Sequence, residues 1–324
     1  MSSAASRIQR RRRRRRRGTG EGDGAVAEGD GDRANSVLQK LQASIEGGDF
    51  YSALQVYKAL FLRYVAREKR AAAIDLATRG SRLLLEKGFS KEGTDLALEL
   101  VDVLAQSDIS ADEETLAKLR EICTAYPKAS KEAEEDKQRF LTKAVEWSAK
   151  SGEYQRGDPK LNQHLALSYV RLGKLQLAIS SFLFTMAPKE FAMVMHKWST
   201  LGYKSERDLL LARGVLQLLA VENLRDARIF NDCFVELVTK SGKVAEGDVE
   251  TPMVHFCDML IETCLYEEKA VKMFNLLRER YKTCLALDQS FQPLMDLIAQ
   301  KYFGVQPPKP AGLAGLMRNM FGGM

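Results

Sequence analysis

Histidine and cysteine are the side chains of this sequence whose chemistry could indicate an activity. The three histidines, His164, His196 and His255, lie in separate segments, and no carboxylate stands at a metal-ligand spacing from any of them. The sequence contains no glycine-rich phosphate-binding loop, no GxSxG nucleophile motif and no HExxH motif. These observations predict a protein that is not an enzyme, holds no metal or cofactor and has no small-molecule substrate.

The cysteines give no sign of a disulfide framework or a zinc site. They are odd in number and scattered, without a CxxC pair, and this usage is typical of a reducing compartment. Cys257 and Cys264 are seven residues apart and so share one helical face, where we expect two small buried residues rather than a redox pair. The five are Cys123, Cys233, Cys257, Cys264 and Cys284.

Positive charge is concentrated at the start of the chain. Residues 1–33 hold ten basic and five acidic residues, a net charge of +5 out of +6 for all 324 residues, so the remaining chain is nearly neutral. With almost no apolar side chain to bury, residues 1–33 are predicted to be disordered. The segment contains eight consecutive arginines: Arg10, Arg11, Arg12, Arg13, Arg14, Arg15, Arg16 and Arg17. Such a run could bind RNA, a ribosome or an acidic lipid by counterion release, could be a nuclear or plastid address, or could be a passive tail.

From about residue 35 to 302 the apolar residues recur at spacings of three and four, as at Leu54, Tyr57, Phe61 and Tyr64, which is typical of amphipathic helices. Helix-start signals support this interpretation: Ser110 with Glu113 fits a capping box, and Asp158 and Thr251 each precede a proline. The pattern predicts about fourteen helices, near 35–46, 49–66, 69–87, 90–106, 111–126, 130–150, 159–172, 174–186, 188–201, 205–221, 223–239, 252–264, 267–281 and 288–302.

Short connections between these helices predict antiparallel hairpins. A loose repeat, in which Gly48, Gly88 or Gly173 is followed about five residues later by a small residue, predicts that the hairpins stack as in tetratricopeptide proteins, although the spacing is irregular. We therefore predict an all-α fold, an irregular α-solenoid over residues 34–303, with a possible small β-ribbon near 241–251. Residues 304–324 are predicted to be a proline-containing linker and a short apolar tail, in which Leu313, Leu316, Met317 and Met320 could form an amphipathic helix.

Several strings resemble, in order and spacing, the Golgi-to-ER traffic protein 4 family, over about residues 34–324. Two departures are evident, because the family pattern favours Tyr where Phe50 stands and has no arginine run. The strings are GDFYSALQ at 48–55, FLRY at 61–64, GTDL at 93–96, LNQHLAL at 161–167 and KYFGVQPP at 301–308.

The resemblance implies a non-enzymatic helical scaffold in the targeting of tail-anchored membrane proteins to the endoplasmic reticulum. Members of the family resemble one another in docking a targeting ATPase on the N-terminal half, here about 34–150, and a ubiquitin-like adaptor on the C-terminal half, about 151–303. A larger cochaperone is a further expected partner. The residues implied for ATPase docking are Phe50, Tyr51, Arg63, Arg67 and Asp95, and we expect the adaptor near Val244, Val249, Met253 and Phe256.

Other interpretations stay open at this point. Phe50 and Tyr51 could be ordinary core residues, the chain could be a tetratricopeptide-like subunit of another assembly, and the arginine run could mark an RNA- or ribosome-associated factor. No window reaches the roughly 18 apolar residues of a membrane span, and the chain has no secretory signal pattern. We therefore expect a cytosolic protein that is not integral to a membrane.

Overall fold

In the part of the chain that the structure describes, the regular secondary structure is helical. The structure is a computed structural model, which describes residues 44, 47–107, 109–127, 130–203, 206–240 and 251–305. The predicted helix at 35–46, the predicted β-ribbon and the two tails lie wholly or mostly outside these residues. The described α-helices are α1 Phe50–Ala66, α2 Arg70–Glu86, α3 Ser90–Gln106, α4 Glu113–Thr124, α5 Lys131–Ser151, α6 Pro159–Arg171, α7 Leu175–Phe182, α8 Pro188–Ser199, α9 Arg207–Ala220, α10 Leu224–Lys240, α11 Pro252–Cys264, α12 Val271–Arg280, α13 Lys282–Leu285 and α14 Phe291–Phe303.

Polar side chains start several helices where the sequence predicted. The Asp158 carboxylate accepts the Leu161 N–H at 2.9 Å, and the Thr251 hydroxyl accepts the Val254 N–H at 3.3 Å, each just ahead of a proline. The predicted capping box at Ser110 is wrong. Asp112 takes the cap instead, accepting the Thr115 N–H at 2.8 Å, so α4 begins at Glu113.

The repeat has the predicted physical basis. Gly48, Gly88 and Gly173 have φ angles of 74°, 89° and 69°, the left-handed region in which a side chain is strained. Further along, Ala53 and Ala178 are fully buried where neighbouring helices approach. Gly88 and Gly173 therefore follow the ends of α2 and α6, and the buried alanines let the helices after Gly48 and Gly173 pack closely.

The chain divides into two compact units, Met1–Phe140 and Leu141–Met324. In the first, the hairpin of α1 and α2 packs on α3 around Leu54, Tyr57, Leu84 and Leu96. Contact there is close, because a Cβ on the α2 residue Gly80 would lie 2.6 Å from the Tyr57 ring.

The second unit holds a larger core built by α6 to α14. Phe182, Phe191 and Phe230 form a continuous row of rings with centroids 5.2 and 4.7 Å apart. Two predicted helices are shorter than expected. Instead of continuing to 186, α7 ends at Phe182. The predicted helix 267–281 begins with a 3₁₀ turn, Glu267–Ala270, whose first residue has a φ of 49°, so the α-helix starts only at Val271.

Candidate docking surfaces

The N-terminal ends of α1 and α3 are held side by side, which creates the surface that carries most of the predicted docking residues. Asp49 caps α1 by accepting the Ser52 N–H at 3.0 Å. Hydrogen bonds from the Ser52 hydroxyl and then its N–H lower the pKa of Asp49. Phe50, the first residue of α1, stacks on Phe89, which directly precedes α3, with ring centroids 3.9 Å apart. The stack aligns the two helix starts.

Tyr51 and Asp95 lie on one face of this pair of helices. Tyr51 is 68% exposed, and Lys58, seven residues later, lies on the same stripe of α1. Lys58 pairs with Glu99 of α3 at 3.3 Å, and Asp95 is one turn before Glu99. By this spacing Tyr51 and Asp95 lie on the same side of the α1/α3 pair, and Phe50 is half-buried at the start of α1.

Arg63 and Arg67 do not join this group. They follow Tyr51 by 12 and 16 residues, which at 100° per residue places them roughly 120° and 160° around α1. Both have polar or ionic contacts of their own. The five residues predicted for ATPase docking are thus divided: Tyr51 and Asp95 lie on the α1/α3 face with Phe50 at its edge, whereas Arg63 and Arg67 lie on another side of α1.

Sequence reasoning missed an acidic stripe along α3. Its members are spaced at i, i+3, i+7 and i+10, so they share one side of the helix, and all are partly exposed. This spacing could have been recognised in the sequence, because it repeats negative charge at the period of a helix. The acidic stripe consists of Glu92, Asp95, Glu99 and Asp102.

The α2/α4 face of the same unit has the opposite charge pattern, because its charges alternate in sign and pair. Lys118 lies 2.8 Å from both Asp75 and Glu114, and hydrogen bonds to Asp75 and then Glu114 raise its pKa. Arg82 of α2 pairs with Glu121 of α4 at 3.0 Å. Charges on this face pair between the two helices, whereas the acidic stripe repeats a single sign along α3, with Glu99 paired to Lys58 of α1.

The structure places the described residues of the predicted adaptor site in the core. Met253 and Phe256 are only 2% and 0% exposed, and the Phe256 ring packs against Tyr281 at 5.3 Å. These side chains hold α11 in place and present no surface of their own. Val244 and Val249 lie outside the described residues.

The histidines and cysteines assemble no reactive site among the described residues. No group of three or more His, Cys, Asp and Glu side chains there could hold a metal ion. Cys257 and Cys264 are buried as predicted, and burial raises the pKa of the Cys264 thiol to about 12, so it stays protonated and unreactive. Nor is any helix in the described ranges long and apolar enough to cross a membrane.

Stacked helical hairpins that expose charged and apolar surfaces define an α-solenoid fold. Within that class, the chain belongs to the Golgi to ER traffic protein 4 family, whose model matches residues 67–321. Asp95 lies inside this range, whereas Phe50, Tyr51 and Arg63 precede it. The family and the all-α fold expected from the sequence are therefore confirmed.

The chain is similar to named relatives over most of its own length and of theirs. Protein GET4 of Arabidopsis thaliana is 30% identical over 312 residues, covering 88% of this chain and 94% of the relative. The Golgi to ER traffic protein 4 homolog of Homo sapiens is 28% identical, covering 87% of this chain and 84% of the relative. A solved structure, the crystal structure of C. therm. Get4, superimposes with a TM-score of 0.76 at 26% identity, covering 90% of this chain and 96% of that one.

Proposed function

We propose that the chain is a non-enzymatic scaffold of the cytosol in the post-translational targeting of tail-anchored membrane proteins to the endoplasmic reticulum. In this role it would link a ubiquitin-like adaptor, with its larger cochaperone, to the targeting ATPase, so that the client passes from one to the other. The observation that carries the proposal is the family match over residues 67–321, which covers most of the chain. The domain boundaries belong to the same proposal: an ATPase-docking half at about 34–150 and an adaptor-binding half at about 151–303.

We assign ATPase docking to the α1/α3 face. The acidic stripe attracts a basic partner surface over several ångströms and would speed association, as complementary charge does in transient complexes. Tyr51 adds an exposed aromatic ring at the helix start, a residue type enriched in interface hot spots. Phe50 would act indirectly, by stacking on Phe89 and fixing where Tyr51 stands. Arg63 and Arg67 would need to contact a second part of the partner.

Adaptor binding is assigned to the first half of α11 and the segment that precedes it. Because Met253 and Phe256 point into the core, the side chains that α11 offers to a partner are exposed ones in the same turns, Pro252, His255 and Met259. Met253 and Phe256 would then determine where that surface stands. Val244 and Val249, just ahead of α11, complete the proposed surface.

A capture experiment tests the proposal. The full chain and residues 34–324 are each used as bait in cytosol at low and high salt, and the bound proteins are identified by mass spectrometry. The proposal predicts a ubiquitin-like adaptor at both salt concentrations and an ATPase only at low salt, with either bait. If capture instead depends on residues 1–33 and yields RNA or ribosomes, the scaffold function is refuted in favour of polyanion binding.

A further inference from the structure

A groove lies among three turns of the second unit and has a volume of about 530 Å³, which is within the range of ligand-binding pockets. The turns are those between α5 and α6 at 152–158, between α7 and α8 at 183–187, and between α9 and α10 at 221–223, and Lys301 of α14 also lines the groove. We call it the turn groove. Its described lining includes no residue of α11 or of the α1/α3 face, so neither of the proposed docking surfaces uses it.

The α5–α6 turn presents Arg156 on a backbone that is fixed at several points. The Gly157 N–H closes the turn by donating to the Tyr154 carbonyl at 2.9 Å. Gly157 has a φ of 87°, and a Cβ there would lie 2.8 Å from the Val145 carbonyl oxygen, so the turn is packed closely on α5. The Arg156 carbonyl accepts a hydrogen bond from Asn162 Nδ2 at 2.9 Å. A ligand that binds Arg156 therefore has little backbone freedom to restrict, which favours affinity.

Arg156 gives the turn groove a positive charge that no described carboxylate neutralises. It is exposed, and its Cζ lies 5.3 Å from the centre of the Phe184 ring, in a cation–π contact. Within the described ranges no carboxylate forms an ion pair with Arg156, whereas Lys301, the other cation of the lining, pairs with Glu222 at 2.5 Å. A planar guanidinium can donate two parallel hydrogen bonds to a carboxylate. The groove is therefore suited to one carboxylate of a ligand.

Large apolar side chains accompany this charge in the lining. Tyr154, two residues before Arg156, is 41% exposed, and Met186 of the α7–α8 turn is 61% exposed. A flexible methionine can adapt to apolar partners of different shapes, and a tyrosine ring adds contact area. We propose that the turn groove binds a short peptide segment of a partner protein, in which an Asp or Glu pairs with Arg156 and adjacent apolar residues contact Tyr154 and Met186.

The charges of the groove favour a peptide over a phosphate or a nucleic acid. Its lining has two cations, Arg156 and Lys301, and one anion, Glu222, a net charge of only +1. A phosphate monoester carries nearly two negative charges at neutral pH and would stand near the Glu222 carboxylate, and RNA would need several cations along its backbone. A single carboxylate matches the one guanidinium, and the apolar part of the lining has no counterpart in a phosphate.

A peptide library identifies the occupant of the turn groove. Random dodecapeptides displayed on phage are selected on the full chain, after depletion on the full chain that carries Arg156→Glu. We expect the surviving sequences to be enriched in Asp or Glu next to Leu, Met, Phe or Tyr. Sequences without that enrichment, or the absence of any survivor, would refute the proposal.

Binding of the most enriched peptide is then measured by fluorescence anisotropy. Met186→Asp should weaken it at least about fivefold, because an apolar contact is replaced by a carboxylate that repels the acidic peptide. Met193→Asp is the matched control, because it makes the same change at a 48% exposed methionine of α8 outside the groove lining, and it should change binding less than about twofold. Equal effects of the two substitutions would mean that the peptide does not occupy the turn groove.

Reversing both charges separates a contact from a structural effect. A peptide with Lys in place of its acidic residue should bind the Arg156→Glu chain at least about tenfold more tightly than it binds the native chain. A purely structural effect of Arg156→Glu would weaken both peptides alike and contradict the proposal. So would displacement of the acidic peptide by inorganic phosphate beyond that by sodium chloride at equal ionic strength, because it would identify an anion site instead.

Discussion

Asp95→Lys tests the docking face at the centre of its acidic stripe. The change converts one negative charge to a positive one between Glu92 and Glu99, and it sets a second lysine near Lys58, which lies 3.3 Å from Glu99. Exposed ion pairs contribute about 0.2–1 kcal/mol each. A change of two charge units opposite a basic partner should therefore weaken binding by about 1–2 kcal/mol, or roughly 5- to 30-fold.

Kinetics and salt dependence distinguish this effect from misfolding. The loss should appear mainly in the association rate, and it should shrink at high salt as the Debye length falls from about 8 Å at 0.15 M to about 3 Å at 1 M. The assay is surface plasmon resonance of the ATPase on the immobilised chain, with helicity checked by circular dichroism. Glu86→Lys is the matched control, because it makes the same change in net charge on α2, beside Arg82. If Asp95→Lys binds like the native chain, or if Glu86→Lys weakens binding equally, the assignment of docking to the α1/α3 face is wrong.

Three further predictions concern stability. Phe50→Ala should lower the free energy of unfolding by about 1–3 kcal/mol through loss of the Phe89 stack, whereas Tyr51→Ala should change it by less than about 0.5 kcal/mol; equal denaturant midpoints for the two variants would contradict this. Gly214→Ala would place a Cβ in the space filled by the Phe230 ring and should lower the free energy of unfolding by about 1–3 kcal/mol; an unchanged midpoint of thermal unfolding would contradict the packing of Gly214 on Phe230. The Asp49 carboxylate has a lowered pKa in the folded protein. Its contribution to stability is therefore present above the unfolded-state pKa near 3.8 and is lost as the pH falls through the lower folded-state pKa. Asp49→Asn should flatten the dependence of the free energy of unfolding on pH below about pH 4, and an unchanged dependence would exclude that contribution.

Most of the fold could be predicted from the sequence because helix signals are local. The spacing of apolar residues identified the helices, and Asp158 and Thr251 marked two helix starts through contacts within three residues. The errors also arose locally. Asp112, not Ser110, caps α4, because its carboxylate directly precedes the helix and accepts the Thr115 N–H.

The docking surfaces were harder to predict, because exposure depends on how helices pack. Nothing in the local sequence separates Tyr51, which faces solvent, from Phe50, which stacks on a ring 39 positions away. Likewise Met253 and Phe256 are apolar residues beside an irregular segment, and only the packing of α11 shows that both are buried. In α12 only the ring stack of Phe274 on Phe303 shows which side of the helix faces the core.

The central claim is that one chain holds the adaptor and the ATPase at the same time. The most direct measurement is analytical ultracentrifugation of the full chain with both purified partners, beside each pair alone. The account predicts a ternary complex at low salt that loses only the ATPase with Asp95→Lys and keeps the adaptor. Mutually exclusive binding, or loss of both partners with that single change, would contradict the linking function.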